Sequence, residues 1–170
     1  EKFSSFEEYP SLMAFWWPRF ERVAKWFIEY ETEWRKSAIP LGGEVSGSLT
    51  ISAPKGDFVI YAKADRIDQF ADGGLVIIDY KTGSVPSDRL VRSGRYPQLP
   101  IEALIAETGG FNGISVEKVK CLAYLQLTGG QPAGKARFIK ENIDTTIACT
   151  KKGLIDLINK FMIKIMAKKR

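Results

Sequence analysis

Residues 75–81, LVIIDYK, constrain the fold of this chain more than any other segment. Four consecutive apolar residues, three of them β-branched, lead directly into Asp79 and Lys81, which carry opposite charges two residues apart. A short continuous apolar run is typical of a strand that is buried on both faces in the middle of a sheet. The sequence therefore predicts a central strand that ends in charged side chains, and such charges need a partner or a function.

Turn formers and hydrophobic periodicity divide the rest of the chain into helices and strands. The first three predicted strands form a meander whose last strand is the central one. Pro40-Leu-Gly-Gly43 is expected to break the chain before this meander, and Pro18 to start a new turn of the first helix or kink it. The order is α, β, β, β, α, β, β, α, with helices predicted over 11–37, 96–108 and 145–169 and strands over 44–52, 57–68, 74–80, 116–128 and 134–141.

Length and composition favour one globular domain spanning 1–170. The chain is 45% apolar and 26% charged, which fits a folded domain with its own core. No apolar run approaches the roughly 18 residues of a membrane span, so no membrane partner is expected. The first residues, EKFSSFEEYP, lack an initiator Met and look like part of a longer protein. The net charge of +5 mildly favours a polyanionic partner.

Cysteine and histidine usage excludes several kinds of site. Cys121 and Cys149 lie far apart in the sequence, so neither a disulfide framework nor a zinc site is expected, and both are interpreted as small core residues of a cytoplasmic protein. Histidine is absent. This segment therefore supplies no imidazole to a catalytic triad or to a metal.

Strand geometry predicts a second carboxylate beside the end of the central strand. Residues two apart in a strand share a face, so Asp79 and Lys81 point together. If residues 72–74 form a three-residue hairpin loop, Asp65 of the preceding strand lies opposite Lys81 and diagonal to Asp79, and Asp68 faces the other way. A loop of different parity reverses the choice between the two aspartates. The predicted site contains two carboxylates and one ammonium.

Such a set suits metal-dependent chemistry on phosphate esters. Two carboxylates held close repel each other unless a cation lies between them. Together with a backbone carbonyl and waters they form an oxygen-only ligand set suited to Mg²⁺, and a neighbouring lysine can orient water and stabilise charge on phosphate. One interpretation is thus phosphodiester hydrolysis. The other is a salt bridge that caps a strand, and the residues alone leave both open.

Three motifs, ADRID at 64–68, LVIIDYKTG at 75–83 and QLPIEA at 98–103, together resemble the RecB-like branch of the PD-(D/E)xK nucleases. The sequence around these motifs extends the similarity over nearly the whole chain and is similar to the C-terminal nuclease domains of AddAB-type helicase–nucleases. The resemblance implies an α/β (α+β), restriction-endonuclease-like core with a mixed sheet flanked by helices. It assigns metal-binding roles to Asp65, Asp79 and the backbone carbonyl of Tyr80, and catalytic roles to Asp65, Asp79, Lys81 and Gln98.

The resemblance also implies a biological setting. It predicts a DNA exonuclease that uses Mg²⁺, or Mn²⁺ in its place, and that resects double-strand breaks during recombinational repair. The partners would be single-stranded DNA ends and an AddA-type helicase subunit, in the bacterial cytoplasm at the nucleoid. Lysine and arginine side chains on loops such as 84–95, whose basic residues are all arginines, are candidates for phosphate contacts. No iron–sulfur cluster is expected, because the chain lacks a closely spaced cysteine group.

The sequence departs from the family pattern in two places. Glu102 stands where the family's Gln motif continues to a tyrosine, and no histidine is present as an upstream metal ligand. The upstream ligand is then either a residue before position 1 or a glutamate, with candidates Glu21, Glu29, Glu31, Glu33 and Glu44. These departures support an alternative hypothesis, a non-catalytic scaffold that retains the nuclease fold for subunit contacts and DNA guidance.

Two further groups of residues have structural interpretations. Asp68 with Arg66 is interpreted as a structural pair. The aromatic side chains of the first helix could stack on bases, but their spacing follows the helical stripe. Packing in the core or at an interface is therefore the favoured prediction for Phe15, Trp16, Trp17, Trp26, Phe27 and Trp34.

Overall fold

A computed structural model describes residues 10–53 and 56–167, with side chains between 13 and 161. A five-stranded sheet in the order β1-β2-β3-β4-β5 forms its middle layer. Its neighbouring strands are antiparallel except β3 and β4, which are parallel. The elements in chain order are α1 (Pro10–Trp34), β1 (Ala38–Ile51), β2 (Phe58–Phe70), β3 (Leu75–Lys81), α2 (Asp88–Arg92), α3 (Gln98–Glu107), β4 (Val119–Leu127), β5 (Gly134–Ile139) and α4 (Ile143–Ala167).

The central strand β3 is buried on both faces. Leu75 and Ile77 belong to the core beneath α3 and α4, whereas Val76 and Ile78 belong to a second core beneath α1. All four side chains are fully buried, which explains why the sequence is apolar at every one of these positions rather than at alternate ones. The predicted mixed α/β architecture with helices on both sides of the sheet is confirmed.

Helix α1 covers one face of the sheet with large aromatic side chains. Phe27, Tyr30 and Trp34 pack against the second core, and the Trp34 ring stacks on Phe138 with 5.2 Å between centroids. The helix approaches β5 closely at one glycine, since a Cβ added at Gly134 would lie 2.3 Å from the Trp26 ring. Packing is therefore the role of the aromatic residues in the C-terminal half of α1, as predicted.

The N-terminal half of α1 behaves differently. Phe15, Trp16 and Trp17 are 55%, 56% and 42% exposed, so they do not pack in the core of the described residues, and their packing at an interface stays a prediction. The backbone of Arg19 lies against Gly129 in the turn between β4 and β5, at the end of the sheet. The helix residues before Arg19 extend past this turn and belong to neither core of the described residues, although their spacing continues the apolar stripe.

Several boundaries differ from the sequence expectation. β1 starts at Ala38 and absorbs the expected break at Pro40-Leu-Gly-Gly43 as a shift of register between Pro40 and Gly42. The loop at 84–95 contains the short helix α2, which adds one element to the predicted order. The last two residues of the predicted final helix, 168 and 169, lie outside the described residues. Within the described part of the chain, no helix is long and apolar enough to cross a membrane.

The two cysteines have different environments. Cys121 is fully buried in the core beneath α1, as expected, and burial raises the pKa of its thiol to about 12. Cys149 is exposed on α4. The prediction that Cys149 is a core residue is therefore wrong, because Ile143, Ile147 and Ile158 provide the buried face of this helix.

Candidate active site

Asp79 lies at the end of β3 and is only 2% exposed. Its Oδ1 atom accepts a hydrogen bond of 2.9 Å from Nζ of Lys81 and one of 2.6 Å from Nε2 of Gln98. Its Oδ2 atom is 2.8 Å from the same ammonium, but it is buried and has no hydrogen-bond partner among the described residues. Oδ1 is thus held by two hydrogen bonds, whereas Oδ2 has only the charge contact with Lys81 among the described residues.

Gln98 joins the two charged side chains from the first residue of α3. Besides its bond to Asp79, its Oε1 atom accepts a hydrogen bond of 3.1 Å from Lys81. The amide has one donor side and one acceptor side, and here each side faces the group that matches it. The structure thereby brings Asp79, Lys81 and Gln98 into one connected set, in which the helix start orients the strand end.

Asp65 lies where β2 separates from β3. The paired residues of the two strands end at Arg66 and Ile78, and Oδ2 of Asp65 then accepts a hydrogen bond of 2.9 Å from the backbone N–H of Tyr80. Because the N–H and C=O of one strand residue point toward the same neighbouring strand, the Tyr80 carbonyl is directed to this same gap. The Asp65 carboxylate therefore accepts the hydrogen bond that a backbone carbonyl of β2 would accept if the strand pairing continued.

The register of β2 on β3 differs from the predicted alignment by two residues. Phe70 and Gly74 close the hairpin, so its three-residue loop is 71–73 rather than 72–74. This register places Asp65 level with Asp79, whereas the sequence argument placed it opposite Lys81. A shift of two residues preserves the face of each side chain, and Asp65 stays on the face of the sheet that carries Asp79.

Glu102 is a buried member of this group that the motif comparison registered only as a departure. It is 3% exposed, its Oε1 atom is 3.3 Å from Nε2 of Gln98, and its Oε2 atom has no hydrogen-bond partner in the described residues. Residues four apart share a helix face, and this spacing from Gln98 was the available signal. Burial raises the pKa of Glu102 to about 7.

Charge and burial oppose each other at Asp79. Burial raises the pKa of this carboxyl above its ordinary value, and the charge of Asp65 adds to the increase, while the hydrogen bond and charge of Lys81 lower it. A buried carboxylate with a second carboxylate nearby gains from any added cation. The electrostatics of the site thus favour a positively charged ligand.

A family model described as the PD-(D/E)XK nuclease superfamily matches residues 3–161. This chain belongs to the PD-(D/E)XK nuclease superfamily. An uncharacterized protein of Rickettsia bellii (strain RML369-C) is 28% identical over an alignment of 161 residues, and the match covers 86% of this chain and 19% of that protein. An uncharacterized protein of Rickettsia felis (strain ATCC VR-1525 / URRWXCal2) is 34% identical over 97 residues, 57% of this chain and 11% of that protein.

The chain spans about a fifth of the Rickettsia bellii relative. A solved structure, described as the crystal structure of SSO0001, aligns with 69% of this chain and 50% of that chain, with a TM-score of 0.41 and 16% identity. Superfamily membership agrees with the fold described above. It also makes a divalent metal ion the group to test against the residues of the site.

The residues of this PD-(D/E)XK chain fit such an ion. Asp65, Asp79 and the Tyr80 carbonyl provide only oxygen ligands, which Mg²⁺ prefers, and Oδ2 of Asp79 is a buried acceptor without a hydrogen-bond partner in the described part. The described residues contain no cluster of three or more His, Cys, Asp and Glu side chains that could hold a metal. The predicted set needs only two such side chains, because its third ligand is a backbone atom.

Most of the glutamates proposed as upstream ligands have other partners. Glu21 accepts a hydrogen bond from Trp17, Glu33 pairs with Lys36, and Glu31 pairs with Arg66. Glu44 is different in position, because the pairs on either side of it in β1 and β2 bring it level with Asp65. Its φ of 54° is unusual for a residue other than glycine, and its carboxylate pairs with Lys63.

Arg66 and Asp68 lie on the opposite face of the sheet, beneath α1. Arg66 donates two hydrogen bonds of 2.7 Å to the fully buried Asp68 carboxylate, which also accepts one of 2.6 Å from Nε1 of Trp34. Glu31 pairs with the same guanidinium. This network fastens α1 to β2, in agreement with the structural interpretation of the Arg66–Asp68 pair.

Proposed function

We propose that this chain is a metal-dependent nuclease that hydrolyses phosphodiester bonds of DNA. The observation that carries the proposal is the arrangement at the end of β3, where the buried Asp79 is held by Lys81 and Gln98 and lies beside Asp65. A cation and two carboxylates at a strand end, in a member of this superfamily, match what phosphodiester hydrolysis requires.

Some residues of the site would bind the metal, and others would orient the reacting groups. Asp65, Asp79 and the carbonyl of Tyr80 would hold Mg²⁺, or Mn²⁺ in its place, and the bound ion would polarise a phosphoryl oxygen and lower the pKa of water. Lys81 is about one-third exposed, so its ammonium can reach solvent and donate a hydrogen bond to a water or to a phosphate oxygen. Gln98 keeps the ammonium and the Asp79 carboxylate in fixed positions.

A narrower role follows from the similarity to AddB, the B subunit of the AddAB helicase–nuclease. We propose that the chain is an exonuclease domain from the C-terminal part of such a subunit, and that it acts on single-stranded DNA ends released by an AddA-type helicase during double-strand break repair in the bacterial cytoplasm. The support is the set of motifs at 64–68, 75–83 and 98–103, together with the small share of its relatives that the chain spans.

A non-catalytic scaffold is the second candidate. Glu102 at the family's tyrosine position favours it, because a buried acidic group replaces a neutral one beside Gln98. Under this hypothesis the chain would bind DNA and partner subunits without cleaving DNA. The preserved contacts among Asp79, Lys81 and Gln98 favour the nuclease instead, since a scaffold has no need for charged groups buried at a strand end.

The two candidates differ in one assay. Linear single-stranded DNA is incubated with Mg²⁺ and the purified protein, and Asp79→Ala is compared with Asp72→Ala, a carboxylate in the hairpin at the other end of β3 that is 61% exposed. The nuclease proposal predicts cleavage by wild type and by Asp72→Ala, and loss of cleavage by at least about a hundredfold in Asp79→Ala. Equal rates for wild type and Asp79→Ala would overturn it.

A further inference from the structure

A pocket of about 230 Å³ lies next to the carboxyl ends of β3 and β4. Ser84, Val85, Gln126, Lys135 and Arg137 line it. The first two residues belong to the loop that follows β3, and the other three to β4 and β5. The sequence comparison assigned no role to the β5 residues, and the contacts of the proposed catalytic residues do not include them.

The sheet register places this pocket on the catalytic face. Lys81 is level with Gln126, which is level with Lys135. Residues level with each other on neighbouring strands project from the same face, so both lysines are on the face that carries Asp79. Two strand spacings of ~4.8 Å separate the lysine backbones, about 10 Å in total.

The residues two positions earlier in β3 and β4 also line up across the three strands. Asp79 is level with Tyr124, which is level with Arg137. Arg137 therefore follows Lys135 on the same face of β5, one row deeper in the sheet. The pocket thus adjoins the proposed active site. Its two cationic side chains, Lys135 and Arg137, lie along β5.

Hydrogen bonds fix the loop wall of the pocket. Nε2 of Gln126 donates to the carbonyl oxygen of Gly83 over 2.7 Å, and Nη1 of Arg137 donates to the carbonyl oxygen of Pro86 over 2.9 Å. These contacts tie the residues on both sides of Ser84 and Val85 to the sheet. The wall is thereby formed before any ligand arrives, which lowers the entropy lost on binding.

The charges of the pocket favour an anion. Lys135 is exposed and makes no ion pair with the described residues, and Arg137 has only a distant carboxylate, with 3.9 Å between its Nε and Oδ1 of Asp88. Gln126, Ser84 and the two cations are all able to donate hydrogen bonds to phosphate oxygens. A pocket with this lining suits one phosphate group.

We propose that this pocket binds a backbone phosphate of the DNA strand that flanks the phosphate cleaved beside Lys81. The inference rests on the proposed function for the identity of the strand. A strand lying across the ends of β3, β4 and β5 would place one phosphate at Asp79 and Lys81 and another at Lys135 and Arg137. Lys135 supplies binding and orientation, not chemistry, so its loss affects substrate affinity.

Binding without hydrolysis tests the pocket separately from the nuclease activity. A fluorescent single-stranded oligothymidylate is titrated with the protein in EDTA over a series of salt concentrations. The variants are Lys135→Gln and Lys36→Gln, a control at the end of α1, on the far side of the sheet. We expect Lys135→Gln to weaken binding several-fold and to reduce the slope of log K against log salt by about 0.7, the value for one phosphate contact on a single strand.

The control is expected to keep the wild-type affinity and slope. The proposed phosphate site would be overturned if the slope of log K against log salt were the same for Lys135→Gln as for wild type. It would also be overturned if wild type did not bind the oligonucleotide at low salt. With Mg²⁺ present, the pocket predicts that Lys135→Gln raises KM several-fold at nearly unchanged kcat, whereas a fall confined to kcat contradicts it. Failure of the nuclease proposal has a different signature, namely equal cleavage by wild type and Asp79→Ala.

Discussion

The side chain of Gln98 donates a hydrogen bond of 2.6 Å to Oδ1 of Asp79, and so links the first residue of α3 to the end of the central strand. The same amide accepts a hydrogen bond from Lys81. One neutral side chain therefore fixes the relative position of the two charged groups. The geometry of the site depends on where α3 starts as well as on β3.

Replacing Gln98 with alanine is expected to lower kcat/KM for DNA cleavage by about 10- to 100-fold. A hydrogen bond to a charged group contributes about 1.5–3 kcal/mol, and each 1.4 kcal/mol corresponds to about a factor of ten in rate. Gln69 offers a matched control, because its amide donates to the carbonyl oxygen of Gly73 in the hairpin at the other end of β3. Cleavage by Gln98→Ala at the rate of Gln69→Ala would contradict the positioning role.

The buried carboxyl of Glu102 should make the free energy of unfolding depend on pH. Burial raises its pKa from 4.5 to about 7 in the folded protein, so folding favours the neutral acid. Its stabilising contribution is fully present below pH 4.5 and is lost as the pH rises through 7. Relative to Glu102→Gln, the free energy of unfolding of wild type should fall between pH 5 and pH 8 by up to about 3 kcal/mol, since one pKa unit is about 1.4 kcal/mol.

Urea unfolding in EDTA at several pH values measures this difference. A constant difference between wild type and Glu102→Gln would show that the Glu102 carboxyl titrates normally in the folded protein.

The Arg66–Asp68 pair should behave as a buried ion pair. Asp68→Ala leaves the guanidinium without its bidentate partner beneath α1 and is expected to cost about 3–5 kcal/mol of unfolding free energy. The double variant Arg66→Met/Asp68→Leu should lose less, because it removes both members of the buried pair and Glu31 keeps its ion pair with Arg35. Chemical denaturation of the three proteins checks this order, with Glu33→Ala as an exposed control. A double variant less stable than Asp68→Ala would contradict it.

The central strand and the grouping of charges at its end follow from local rules. An uninterrupted apolar run requires burial on both faces, and the two-residue period places Asp79 and Lys81 together whatever the neighbouring strands do. Asp65 reached the correct face although the expected register was wrong, because the error was two residues and parity survives an even shift. The roles of these residues in catalysis stay predictions.

Other features depend on contacts that no local pattern encodes. Glu102 enters the site only because α3 packs over the end of β3, and its burial is set by that packing. The aromatic stripe of α1 is continuous in sequence, yet the sheet ends near Gly129 and leaves Trp16 exposed. Cysteine is a residue type that is common in protein cores, but Cys149 is on the exposed side of α4.

The thiols provide a check on these environments. Cys149 is exposed and Cys121 is fully buried, with a pKa raised to about 12 by burial. Because the thiolate is the reactive form, the folded protein should react with one equivalent of a thiol reagent, and the unfolded protein with two. Cys149→Ser should remove the fast reaction. Rapid labelling of folded Cys149→Ser would contradict the burial of Cys121.

Metal binding measured by calorimetry tests the central claim most directly. Mn²⁺ is titrated into wild type, Asp79→Asn and Asp156→Asn, an exposed carboxylate on α4 that serves as control. Asp79→Asn keeps the shape of the side chain but removes its charge, so the account predicts an affinity at least about tenfold weaker than that of wild type and of the control. Equal Mn²⁺ affinity in all three proteins would contradict a metal site at Asp79.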